Sequence, residues 1–459
     1  MCICSAFLGS QPVLMINDPE LITQMNVTDF NKFVDRNKFV SGNGFNDRNI
    51  FNLIGDEWKQ MRSVISPTFS SGKMRSMHPI IIEAVKRLEA YLATKAERKE
   101  EVSLKAVMSN LTMDVIASCA FGTRIDTHTD GHTSEFVTQA QRALGGNWRL
   151  WVFFLFTSIF PQLLKWTKFS PIDPGVERFF RDAVSSIAKR RKSEKVKPRD
   201  YLQLLIEAQD RGNGAHPSGP DTDDKLDTNA EQIFAETGGQ ALTGHKTSHP
   251  IISDDDFVTN SMIFLTAGFD TTSSLLSFLC YELAINELCQ QRLYEEINKF
   301  CDDINYETIS QMPYLEACVA ETLRLYNPIT TVGRIADEEY TVGDTGLTIP
   351  VGMFVAFDLH VLHHSPEYYP DPMRWDPERF MPENRHKLVP KTYMPFGTGP
   401  RNCVGMRFAL MEAKTAIVQL VRRFRFRRSV NTTIPLKFKK FNFILDAEKD
   451  IKIEMKIRD

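Results

Sequence analysis

A chain of 459 residues, 42% hydrophobic and 25% charged, has ample material for a large buried core, which excludes disorder throughout. Its formal net charge of −3 gives no overall basic surface and so no electrostatic case for a nucleic-acid partner. The eight cysteines, at 2, 4, 119, 280, 289, 301, 318 and 403, lack both the paired spacing of a zinc site and the density of a disulfide scaffold, and read as reduced intracellular thiols.

The opening MCICSAFLG is too short for a signal peptide, and no stretch approaches the roughly 20 apolar residues of a membrane span. PVLMIN at 12–17 predicts a short strand, and Asp18-Pro19 then caps a helix running towards Met25. Helical spacing of apolar residues marks 80–96, 104–121 and 176–188. The run LWVFFLFTSIF at 150–160 suits either an element dipping into a membrane surface or a core helix. From 208 to 253 Gly, Asp, Thr, His and Pro dominate, which predicts a long mobile surface loop. No strand–helix pattern restarts after it, so 1–459 is read as a single domain. The proline-free 254–300 predicts one or two long helices, the first buried and central. YTVGDTGLTIPVGMFVAF at 340–357 predicts short strands, the Pro-rich stretch after it a meandering loop, and 404–424 a return to helix. The fold class is mainly α with small β-sheets, in one large helical domain.

One cysteine has an unusual setting. FGTGPRNCVG at 396–405 is a Gly-rich loop that delivers Cys403 to the start of a helix, where amide N–H groups and the positive dipole end favour a thiolate. Gly405 lets a flat ligand approach, Phe396 packs beside the sulfur, and Arg401 can pair with an anion. A lone cysteine at a helix start is more often structural; the five-part spacing F-x-x-G-x-R-x-C-x-G makes this one specific. With it the chain resembles the cytochrome P-450 superfamily, and the resemblance implies that Cys403 is the axial ligand of the iron in heme b (iron protoporphyrin IX). A thiolate ligand favours O–O cleavage over oxygen storage.

Further motifs extend the resemblance. Ala267-Gly-Phe-Asp-Thr-Thr272 in the proline-free helix matches the family's oxygen-binding segment, which implies local opening of the helix, Ala267 and Thr271 facing the haem, and proton delivery through Asp270 and Thr271. Glu321 and Arg324, at i and i+3, with Arg379 in the PERF segment, match the buried network that braces the cysteine loop. Trp58 and Arg62 match the helix that reaches the haem propionates; Arg334 and His363 are further candidates for that contact. Phrases such as SPTFSSGKM, MDVIASCAFG and QMPYLEACVAETLRLYNP bring the chain nearest to the microsomal family 3 branch.

Members of that branch open with an anchor helix, a Pro-rich hinge, a first helix and a strand. None of these is expected before Gln11, which predicts an incomplete first sheet. The resemblance implies a monooxygenase at the cytoplasmic face of the endoplasmic reticulum membrane, with peripheral membrane contact. Its electrons come from NADPH through a flavoprotein reductase, with cytochrome b5 as a further partner, and it acts on an apolar small molecule and O2. Arg407, Lys414 and the basic run at 422–428 suit either an acidic redox partner or a solvated charged face. Substrate-pocket walls are expected at 39–53, 144–164 and 329–331. The rivals are a haem-thiolate isomerase or dehydratase, which often lacks the acid–alcohol pair retained here as Asp270-Thr271, and an inactive haem-binding fragment.

Overall fold

The computed structural model describes residues 3–458 apart from 9–10, 37–42, 124, 126–134, 145–147, 160–165, 168, 194–199, 213–251, 301–303 and 441–443. The principal helices are α1 (Gly55–Ile65), α2 (Ser71–Glu97), α3 (Leu104–Phe121), α4 (Pro174–Ser193), α5 (Tyr201–Gly212), α6 (Asp254–Ile285), α7 (Glu287–Asn298), α8 (Pro313–Leu325) and α9 (Met406–Arg423).

The apolar centre of the proline-free segment makes α6 the axis of the molecule. Its start is set by a capping box, in which Ser253 and Asp256 satisfy each other's backbone N–H groups. Its end comes at Asn286, whose non-helical backbone (φ −113°, ψ 74°) separates it from α7. Of the helices, α3 packs against it most extensively. Both are long and apolar enough to cross a membrane by length and composition, yet most of their surface is buried inside the protein. Gly268 is where they meet: a Cβ there would lie 2.2 Å from Ile116 Cδ1, so any larger residue would force the end of the Ile116 side chain to move. Beside it Thr112 Oγ1 donates to the Phe269 carbonyl at 3.0 Å.

Strands form three small sheets. The first has the order β1 (Ile3–Leu8), β2 (Gln11–Ile16), β7 (Phe354–Asp358), β4 (Thr331–Ile335), with β2 and β7 parallel and the other pairs antiparallel. The leading strand expected to be missing is therefore present: Ile3–Leu8 pairs with β2 from Ile3↔Ile16 to Leu8↔Gln11. The second sheet, β3 (Val102–Ser103), β9 (Lys452–Ile457), β8 (Phe424–Arg428), was not predicted. The third is the hairpin β5 (Tyr340–Thr341) with β6 (Thr348–Ile349).

Other expectations shift in detail. Helix Pro19–Thr23 is capped by Asp18 as read, and α3 begins and ends as the periodicity marked. α2 starts nine residues before 80 and runs through Pro79, because Met74, Met77 and Ile81 bury one face and outweigh a lost hydrogen bond of about 3 kcal/mol. The loop expected from 208 begins later, since residues up to Gly212 finish α5, and 213–251 lie outside the described residues. The 150–160 run lies in helix Trp148–Ile159, where Trp148 and Leu155 are exposed; residue 160 is outside the described residues.

The glycine contact can be tested by mutation. Gly268→Ala is expected to lower stability by about 1–3 kcal/mol through overpacking. In an Ile116→Val background, which removes the clashing methyl, the same change should cost at least about 1 kcal/mol less. Additive losses in a denaturation double-mutant cycle would contradict the contact.

Candidate functional site

The cysteine loop is a run of tight turns. Gly397 N–H donates to Met394 O (2.9 Å), Asn402 N–H to Gly399 O (3.0 Å) and Cys403 N–H to Phe396 O (2.9 Å). Gly399 is required twice: its φ is +72°, and a Cβ would lie 1.8 Å from the Asn26 carbonyl oxygen. Gly405 has an ordinary φ of −90° and a Cβ there would meet only the Phe69 ring at 3.8 Å, so no protein contact demands a glycine. Phe69 in turn stacks on Phe264 of α6 at 5.7 Å, which brings the cysteine loop and the central helix to either side of one aromatic ring.

Cys403 lies deep in the protein yet keeps open surface on one side, whereas Arg401 and Asn402 beside it are buried. Its thiol pKa is raised by burial, with the Gly405 N–H, Arg62 and Arg36 acting the other way. The N-cap of α9 is Gly405, two residues further on, and without a cation at the sulfur burial is the larger of the opposing effects. A cation bound at the sulfur reverses that balance.

Around the loop lie four guanidiniums. Burial, with mutual repulsion at Arg62, Arg334 and Arg401, lowers Arg36 and Arg62 to about 10, Arg334 to about 9 and Arg401 to about 8. Arg401 donates to the carbonyls of Val34 (2.9 Å) and Leu53 (2.7 Å), lies 3.7 Å from Asp35, and stacks on Trp58 at 4.0 Å. Arg62 holds Asn402 through its carbonyl (2.9 Å) and side-chain oxygen (2.7 Å). The Nε atoms of Arg62 and Arg334 are buried without a hydrogen-bond partner. A group that brings a metal cation to Cys403 and carboxylates to the arginines complements both deficits, and these residues therefore fit a haem. Arg36, which donates to the Arg401 carbonyl at 2.7 Å, escaped the sequence reading because VDRNK carries no distinguishing pattern.

The brace is complete. Arg324 and Glu321 have no exposed surface and share two 2.8 Å bonds. Arg324 also donates to His363 O (2.8 Å) and Arg374 O (3.2 Å), Asp376 N–H donates to Glu321 (2.8 Å), and Arg379 lies 3.5 Å from it. His363 belongs here and not among the arginines: its Nε2 accepts from Met394 N–H at 3.0 Å, at the entry to the cysteine loop.

On α6, Thr271 Oγ1 donates to Ala267 O at 2.7 Å, and Ala267 is exposed where Thr266 before it is buried and Gly268 after it half-buried. The helix passes unbroken through this segment, so the expected local opening is absent; Gly268 serves packing against α3. Asp270 pairs with Lys105 of α3 at 2.6 Å, a partner no motif announced.

A haem-binding cysteine loop braced by Glu321 and Arg324 under a long central helix now has a counterpart: the sequence profile described as Cytochrome P450 matches residues 2–249 and 239–455. The chain belongs to the cytochrome P450 family. It is 35% identical over 462 aligned positions to Cytochrome P450 9e2 of Blattella germanica, covering 95% of this chain and 82% of that one. Similarity to human Cytochrome P450 3A7 is 35% over 458 positions (98% and 83%), and to Probable cytochrome P450 6a13 of Drosophila melanogaster 33% over 459 (98% and 85%). This P450 is thus a haem-thiolate monooxygenase in general class, an oxidoreductase that uses haem iron. One partner-surface expectation fails: Lys414 is buried and pairs with Glu316, so it cannot meet a redox partner. The basic run is divided between the end of α9 and β8, with Arg423 3.6 Å from Glu89 and Arg425 3.4 Å from Glu287.

Three histidines beside the brace set an acid limit. Burial lowers the pKa of His360, His363 and His364, and repulsion by His360 and Arg324 adds to it at His364, which falls from 6.5 to about 4. A folded-state value below the unfolded one means that the unfolded chain takes up protons the fold refuses. The stability is present above pH about 6.5 and is lost as pH falls towards about 4. Over that interval the melting temperature of the wild type should fall more steeply than that of His364→Gln; parallel curves would contradict the assignment.

Proposed function

We propose that this P450 is a microsomal monooxygenase that inserts one oxygen atom of O2 into an apolar organic molecule. In this reading electrons come from NADPH through a flavoprotein reductase, with cytochrome b5 as a further donor, and residues 1–459 act as one catalytic domain. The observation that carries it is the pairing of opposite deficits: a sulfur whose pKa burial raises, beside two buried guanidiniums, Arg334 and Arg401, and two half-buried ones, Arg36 and Arg62. Bound haem supplies oxygen activation, which a thiolate ligand promotes.

The chain's own residues divide the remaining work. Cys403 holds the iron, with the Gly405 N–H aimed at the sulfur to bear part of its charge, Phe396 in the turn behind it, and no side chain at Gly405 to obstruct a flat ring. Arg62, Arg334 and Arg401, the last resting on Trp58, receive the propionates, and the unpartnered Nε atoms of Arg62 and Arg334 support that role. Asp270 and Thr271 hold and pass protons on the side where Ala267 is open. Glu321, Arg324 and Arg379 keep the cysteine loop in place and touch no reactant. Location at the cytoplasmic face of the endoplasmic reticulum membrane, with peripheral contact, is supported by the exposed Trp148 and Leu155 on helix Trp148–Ile159. An apolar substrate accords with the walls expected at 39–53, 144–164 and 329–331, of which 39–42, 145–147 and 160–164 lie outside the described residues.

A difference spectrum of the reduced protein with carbon monoxide tests the reading. The wild type is expected to show the long-wavelength Soret band of thiolate ligation and Cys403→Ala to lack it; a thiolate band surviving that change would exclude Cys403. Transfer of haem to a scavenging protein checks the cation cluster. Arg334→Met should lose haem about ten-fold faster, one propionate partner being worth about 1.4 kcal/mol or more. An unchanged rate would remove Arg334 from the haem contact.

A further inference from the structure

Strand β7 runs out into a single turn of helix, Leu359–His363. Asp358, the last residue of the strand, caps that turn by accepting from Val361 N–H at 3.0 Å, and His360 N–H donates to Thr330 O at 3.1 Å. The turn closes where His364 N–H donates to His360 O at 3.0 Å. Residues four apart in such a turn share one face, and here both are histidines. The rings of His360 and His364 lie 4.0 Å apart between centroids, tilted by 33°. His363, between them in sequence, has another occupation: it is wholly buried, and its Nε2 accepts from Met394 N–H.

Each of the two rings keeps a lone pair. His364 Nδ1 is 2.8 Å from His360 O, and a carbonyl can only accept, so that nitrogen carries the ring's proton and Nε2 is bare. The carbonyls of His360 and Leu325 both favour a second proton on this ring, yet burial, with repulsion by His360 and Arg324, prevails and the pKa falls to about 4. His360 is exposed, and among the described residues no hydrogen bond occupies its ring. Partial burial lowers its pKa as well, with the Asp358 carboxylate acting the other way. At neutral pH both rings are therefore uncharged bases, with no proton for an incoming cation to displace.

We infer that His360 and His364 form a surface site for one divalent transition-metal ion of borderline softness, such as zinc. An ion about 2.0–2.1 Å from each Nε2 bridges two rings this close after small rotations of their side chains, and water fills its remaining positions. The bond from His364 Nδ1–H to a backbone carbonyl is the kind of contact that orients a metal-binding imidazole and raises its basicity. Magnesium and calcium take oxygen ligands and do not suit two nitrogens. Of the charges that act on the pair, Asp358 attracts a cation, and Arg324 is already matched by Glu321. An ion here ties the start of the turn to its end. It thereby steadies His363, whose carbonyl accepts from Arg324 and whose ring meets Met394 N–H. The site stands on these two histidines alone and does not depend on the reaction proposed above.

The test titrates the haem-loaded protein with zinc against a chromophoric chelator. The wild type and His386→Gln, which changes an exposed histidine elsewhere, should bind one ion that His360→Gln and His364→Gln each hold at least about ten-fold more weakly. Zinc at about ten times the dissociation constant should raise the melting temperature of the wild type by about 1–2 °C and leave that of His360→Gln unmoved. Acylation by diethyl pyrocarbonate, mapped by mass spectrometry, reads the site without any variant. The same zinc concentration should slow modification of His360 in the wild type by about ten-fold, while magnesium should not slow it. Equal zinc affinity in the wild type and both variants would overturn the inference, as would a His360 that zinc leaves unprotected or that magnesium protects equally well. Should either variant fail to fold, shown by loss of its thiolate band, the acylation of the wild type decides alone.

Discussion

Glu321 and Arg324 are ionic partners with no access to water, and much of the structure below the central helix is tied to them. Desolvating two such groups costs several kcal/mol each, a cost offset only when every donor and lone pair finds a partner. Here the partners come from separate segments: the His363 and Arg374 carbonyls for Arg324, the Asp376 N–H and Arg379 for Glu321. Neither the short helix Leu359–His363 nor the Pro-rich loop after it has a regular ladder of its own to fix its position. The pair supplies the position, and His363 passes it on through Met394 N–H, Met394 O and Gly397 N–H to the turn whose Phe396 carbonyl holds Cys403 N–H. The ligand's placement is thus a property of a buried ion pair several contacts away.

The same loop carries an electrostatic imbalance that the protein alone does not relieve. Arg401 is tied to backbone carbonyls and rests on Trp58, and Asp35 is 3.7 Å from it, yet burial and repulsion still lower its pKa to about 8. Burial raises the Cys403 thiol in the same neighbourhood. Cations short of anions, and a sulfur short of a cation, are each destabilising alone. Together they are complementary to one ligand bearing iron at its centre and carboxylates at its edge. The cofactor is on this view part of the folding energetics of the loop, and the Arg62 bonds to Asn402 couple the two ends of that arrangement.

The sequence was legible where one local rule decides the outcome. α3 has no proline and an apolar content high enough to be buried all round, so its ends matched the periodicity, and Asp18-Pro19 capped a helix as the two residue types require. The Cys403 loop was legible because five residue types at fixed spacing serve one geometry. Illegible features depend on distant partners. β1 is short and pairs only because β2 lies beside it, and Phe424–Arg428 resembles a charged surface run until β9, some thirty residues later, pairs with it and its Phe424 and Phe426 side enters the core. Lys414 looked available until Glu316 of α8 buried it, and Arg36 and Lys105 acquire meaning only from Arg401 and Asp270. A charge declares its role through its partner, and the partner is set by the fold.

Gly268 joins the packing of the core to the chemistry above it. As a sequence feature it marked a weakness in α6; in the fold α6 is continuous, and the absent side chain lets Ile116 and the whole of α3 come close. Lys105 and Ile116 lie on the same helix, so the approach that glycine allows at one end also fixes how far the lysine reaches at the other. A wider spacing of the two helices would lengthen the 2.6 Å contact to Asp270 and the 2.7 Å contact to Ser274 together. A close-packed interior transmits such a shift instead of absorbing it. The Gly268–Ile116 contact and the Lys105–Asp270 pair therefore share one helix spacing: what brings α3 close to α6 at the glycine also leaves the acid a cation to hold it.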